Sequence, residues 1–246
     1  MMGLDYTGVQ IAAALLAALG SAFVRGLAGF DMAILLVPIL ALALSPVDSV
    51  LVTNVLAVLI GLSEIRRLLR GAEQSAWTII ALIAVTTPLG LYLLTITSPA
   101  AARIIIALIA VSAFAAILLP RRHAPHHSRS TTMGVGALSG LMTGYAGMPG
   151  PPVVPYYVGR AIARETAVAS MLLIFTFAAA IGLGSGWAIG ALRVDQAVLA
   201  GLLFPAVLIG NYMGHKAAGR IADRTWRLCV GAVLGGAALA AILRAF

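Results

Sequence analysis

Residues 21–38 read SAFVRGLAGFDMAILLVP, and residues 139–155 read SGLMTGYAGMPGPPVVP. At an offset of 118, Ser21 falls on Ser139, Gly26 on Gly144, Ala28 on Ala146 and Gly29 on Gly147. One residue of gap then brings Val37 and Pro38 onto Val154 and Pro155. Self-similarity at a fixed spacing marks an internal repeat. Here the repeated unit is an apolar segment interrupted by glycine, once in each half of the chain. That is the sequence sign of a transporter assembled from two repeats.

The sequence around these stretches fixes their medium. Of 246 residues, 61% are hydrophobic and 10% charged, and the mean hydropathy is +1.05. Soluble domains carry about 25% charged residues. The runs suit helices of about 20 residues rather than the alternating strands of a barrel. A soluble globular protein is excluded. The stretch before Arg25 has no Lys or Arg, so it does not read as a secretory signal. Cys229 is the single cysteine, which rules out an internal disulfide.

Along the chain, Val9 to Val24 and Met32 to Leu44 form a short pair around the Gly26–Gly29 break. Asp48 is placed to cap a helix from Ser49 to Leu69. Spans from Ala76 to Ile96 and from Ser98 to Leu119 follow. Residues 120–130, PRRHAPHHSRS, form a basic linker. The order then returns: Met133 to Ala146 and Pro151 to Gly159 as the short pair, Ala167 to Leu183, a glycine-rich loop over Gly184 to Gly190, Val194 to Gly214, and Trp226 to Phe246. The expected fold is an all-α integral membrane protein with two repeats, residues 1–119 and 131–246. Each is a short broken-helix pair followed by three transmembrane helices. Spanning or re-entrant, the pair returns the chain to the side where it began. Each half thus makes an odd net number of crossings, and the halves are inverted.

Charge supports this. With the Arg66–Arg70 loop in the cytoplasm, 12 of the 16 Lys and Arg residues fall inside and 3 (Arg103, Arg193 and Arg244) fall outside. The positive-inside rule then puts both termini outside and the linker in the cytoplasm. The net charge of +8 is thereby a matter of orientation, and no nucleic-acid partner is expected.

Arg25 is the basic residue left over, beside the first break. A broken helix must satisfy its free backbone groups in protein or in a water-filled cavity. The resuming helix points its positive end and free N–H groups at that cavity, which favours an anion. Two such breaks, one per half, would make one midplane site. The residues expected to line it are Arg25, Gly26, Gly29, Phe30, Asp31 and Asn54 from the first half. From the second come Thr143, Gly144, Tyr145, Gly147, Met148 and Gly150. Arg25 reads either as an anion ligand, its fork matching an oxyanion, or as one more inside charge. Asp31 reads as a partner of Arg25, as a cap on the next helix, or as a proton-carrying carboxylate that couples transport. Thr53, Thr87, Asn211 and Tyr212 either complete a polar cavity or hold helices together. Glu64 reads as an ion pair with Arg66 and Arg67. His123, His126 and His127 read as a solvated linker without acidic or thiol ligands. No cofactor, metal or catalytic set is expected.

Gly26, Gly29 and the LLVP at Leu35 to Pro38, followed by an Asp-containing turn and a span, resemble the first signature of the TauE/SafE family of sulfite and organosulfonate transporters. The glycine turn and proline-containing helix of residues 139–155 resemble its second signature. Phe30-Asp31-Met32 and Met148-Pro149 stand where the family often has more glycine. The resemblance covers both halves. It implies a bacterial inner-membrane permease for small sulfur-containing anions, with the lipid bilayer and an anionic substrate as partners. A homodimer is one assembly left open. The competing reading is a membrane subunit without transport; an intramembrane enzyme would need a nucleophile and base that the sequence does not offer.

Overall fold

The computed structural model describes residues 7–28, 31–118 and 128–217. Gly29 and Phe30, residues 119–127 of the linker region and everything after Ala217, including the expected last span and Cys229, lie outside the described residues. The described part is nine α-helices with no strand. They are α1 (Gly8–Ala28), α2 (Ala33–Ala43), α3 (Pro46–Gly71), α4 (Ser75–Ile96), α5 (Pro99–Leu118), α6 (Arg129–Ala146), α7 (Gly150–Val158), α8 (Arg164–Ala188) and α9 (Val194–Ala217).

Five of them, α1, α3, α4, α8 and α9, are long and apolar enough to cross a membrane. At 1.5 Å per residue, α3 is about 39 Å long, whereas α2 and α7 are about 16 and 13 Å, roughly half a hydrocarbon core of about 30 Å. The outward faces carry large apolar residues, such as Val85, Leu89 and Ile96 on α4 and Leu202, Ile209 and Met213 on α9. An apolar face turned outward on a helix this long is the mark of a lipid-facing span. The chain is an all-α membrane protein.

Several boundaries differ from those the sequence suggests. α1 runs through Gly26 to Ala28, past the expected end at Val24, while α6 ends at Ala146 as expected. Ser45, not Asp48, caps α3. Its Oγ accepts the Asp48 N–H at 3.1 Å and donates to the Asp48 carboxylate at 2.7 Å, with Pro46 at the first helical position. That is a reciprocal cap, and proline costs nothing where its missing N–H would be unpaired anyway. α8 continues through Gly184 and Gly186 to Ala188, and the turn comes at Gly190 with φ +69°.

Gly26, Gly144, Gly90, Gly210 and Gly214 persist in helices because neighbouring backbones need the space. A Cβ on Gly26 would collide with the Asn211 carbonyl of α9, one on Gly210 with that of Leu19, and one on Gly214 with that of Phe23. On the other side, Gly144 lies on Thr87 and Leu91 of α4, and Gly90 on Leu141 of α6. Small residues one turn apart let membrane helices approach closely where no hydrophobic force draws them together. The resulting pairs are α1 with α9, α4 with α6, and α3 with α8. Each joins a helix from the first half of the chain to one from the second. α2 lies on α1, α3 and α5, and α7 lies on α5, α6 and α8.

Candidate functional site

The second break is built by Gly147. It ends α6 in the left-handed conformation, φ +66°; its N–H donates to the Thr143 carbonyl at 2.8 Å and the Met148 N–H to the Met142 carbonyl at 3.3 Å. Only glycine adopts this conformation without steric cost. Ser139 braces the turn by donating to the Pro149 carbonyl at 3.1 Å. Pro149, Pro151 and Pro152 then keep the chain from rejoining α6 as one regular helix.

The first break meets the second at Asp31. Its Oδ1 accepts the Ala33 N–H at 2.9 Å, closing the N-terminus of α2. Its other side faces Gly150, the first residue of α7: a Cβ built there would stand 3.4 Å from Oδ2 and 3.4 Å from Ile34 Cδ1. The free N-terminal ends of α2 and α7 therefore converge on one carboxylate. Helix N-termini favour negative charge, and here the chain supplies it. Asp31 is buried, and its Oδ2 has no hydrogen-bond partner. The cap reading of Asp31 stands.

Arg25 occupies the last turn of α1, with 8% of its side chain exposed. Its Nη1 donates to Asn211 Oδ1 of α9 at 2.9 Å and lies 3.8 Å from Glu64 Oε1 of α3. Glu64 also pairs with Arg67. Local spacing shows the Glu64–Arg67 pair but not the reach from α1 to α3. The signal available in the sequence was that a lone intramembrane guanidinium requires an anion, and Glu64 is the carboxylate nearest to mid-helix in α3.

The other expected residues are placed as follows. Asn54 is buried with Nδ2 unpaired, packed on Gly182 of α8. Thr143 is buried and donates back to the Ser139 carbonyl at 2.7 Å. The Tyr145 hydroxyl is buried without a partner. Met148 is fully buried in the apolar core beside α7. Gly26 and Gly144 sit at helix crossings, and Gly147 packs on Val37 and Val50. The hydroxyls of Ser21, Thr53 and Thr87 are also buried without partners. Buried polar groups are normally satisfied. These unpaired O–H and N–H donors lie on α1, α3, α4 and α6.

The bundle ends are tied by ion pairs. Arg160, after α7, pairs with Glu73 before α4 at 2.6 Å and stacks over the Tyr156 ring at 5.5 Å. The Tyr156 hydroxyl bridges to Thr132 Oγ1 at 2.8 Å. At the far end of α3, Asp48 meets Arg193 at 3.3 Å and accepts from Gln196 Nε2 at 2.7 Å. Neither tie was read from sequence, since each joins residues distant along the chain.

Comparison with the curated proteins and with the solved structures gave no match. The model of the family described as Sulfite exporter TauE/SafE matches residues 13–241, nearly the whole chain and both breaks. An all-helical membrane bundle, two glycine breaks that meet, and a match of this extent lead to one conclusion: the chain belongs to the TauE/SafE sulfite exporter family, a family of membrane transporters.

Proposed function

We propose that this chain is a secondary transporter that exports small sulfur-containing anions, sulfite or organosulfonates, across the bacterial inner membrane. In this reading residues 1–119 and 131–246 are inverted repeats with both termini periplasmic. Substrate passes between the breaks by alternating access, lined by Arg25, Asp31, Asn54, Thr143, Tyr145 and the glycines 147 and 150. The helix pairings support the repeats, because α1 on α9 and α6 on α4 exchange under the offset that relates the two halves.

The observation that carries the proposal is the convergence of α2 and α7 on Asp31. The carboxylate stands where two helix N-termini favour an anion. An arriving anion would repel the charged carboxylate. Protonation removes that repulsion, so anion and proton movement become linked. The charge of Arg25 also bears on Asp31.

The test is counterflow of labelled sulfite in proteoliposomes, with and without an imposed pH gradient. Wild-type protein should take up sulfite and respond to the gradient. Asp31→Asn should keep exchange and lose the response to the gradient. An unchanged pH response would return Asp31 to its capping role alone. No uptake of any sulfur oxyanion by folded protein would sink the transport proposal for this substrate class.

A further inference from the structure

We propose that Glu64 is a built-in surrogate for the transported anion, held against Arg25 until substrate displaces it. This rests on the reading of Arg25 as an anion ligand.

A guanidinium in an apolar bundle needs a counter-charge, since an unpaired buried ion costs several kcal/mol. Asn211 gives Arg25 a hydrogen bond but no charge. Glu64 gives charge without a hydrogen bond, because 3.8 Å is too long for one. The pair is thus neutralising yet loose. Glu64 also has somewhere to go. Its side chain is 21% exposed and already shared with the exposed Arg67, which has 64% exposure. It lines a recess formed by Leu62, Ser63, Glu64, Ile65, Arg66 and Arg67 at the end of α3. An oxyanion that displaced Glu64 from Arg25 would leave the carboxylate on Arg67, its existing partner. It would form the charge-assisted hydrogen bonds that Glu64 lacks. The swap keeps the count of charges constant, so Arg25 is never left bare. Release is driven by the return of Glu64.

The deciding experiment measures sulfite and chloride binding to the purified full-length protein in detergent, by thermal shift and by direct titration. It compares wild type, Glu64→Gln and the double variant Arg25→Gln/Glu64→Gln. Removing the competing carboxylate should tighten sulfite about tenfold, a modest figure for a unit charge at this distance near a protein surface. The double variant should lose the gain. In proteoliposomes Glu64→Gln should lower both KM and maximal rate, since bound anion is no longer pushed off. A merely structural Glu64 would lower the rate without lowering KM. If Glu64→Gln unfolds in anion-free buffer, rescue by chloride or sulfite supports the surrogate role and failure of rescue overturns it. Wild-type binding of sulfite with no tightening in the folded variant overturns this inference alone. Tightened chloride with no sulfite binding by any form overturns the sulfur-anion reading and leaves the surrogate standing.

Discussion

At the scale of the residue, Arg25 separates the competing readings of the chain. A charge that only marks the cytoplasmic side would sit in water. Arg25 is buried and held by two helices distant in sequence. Arg25→Gln should abolish sulfite transport while the protein still folds. Folding survives because Glu64 keeps Arg67 as partner and Asn211 can bond the new amide. The measurements are proteoliposome counterflow and thermal unfolding of the same preparation. Full activity in the variant would reduce Arg25 to an orientation signal. The reach of Glu64 to Arg25 was hidden in the sequence because Arg67, three residues away, already explained that carboxylate.

At the scale of the element, glycine had two meanings that the sequence could not tell apart. At Gly147 it permits a left-handed turn and breaks a helix. At Gly26, Gly144 and Gly186 it lies inside a helix and admits a neighbour. Composition reads both as breakers, which is why the α1 and α8 ends were drawn too short. Packing against another helix outweighs the loss of about 1 kcal/mol for glycine in a helix. The apolar spans themselves were legible, because length and hydropathy alone decide them. Gly144→Leu should therefore destabilise the protein by about 1–3 kcal/mol, the usual cost of overpacking. Gly201→Ala, where a Cβ meets nothing, should be neutral or slightly stabilising. Thermal unfolding in detergent checks both, and equal behaviour of the two variants would contradict the close helix crossing.

At the scale of the whole molecule, the pairing of α1 with α9 and of α4 with α6 interlocks the two halves, and the hairpin α1–α2 touches the hairpin α6–α7 where Asp31 and Ile34 face Gly150 and Val37 faces Gly147. The repeat announced that two breaks exist; that they touch at Asp31 and Gly150 is a matter of tertiary packing, invisible to any offset. If the path for the anion runs between them, fastening one hairpin to the other must stop transport without damage elsewhere. The most direct measurement is sulfite counterflow by an Ile34→Cys/Gly150→Cys protein in a Cys229→Ser background, bridged by a short cleavable bis-thiol reagent and then released by reduction. The account predicts that the cross-link forms, that it blocks counterflow, and that reduction restores it. A cross-linked protein that still carries sulfite, or a pair of cysteines that never joins, would contradict it.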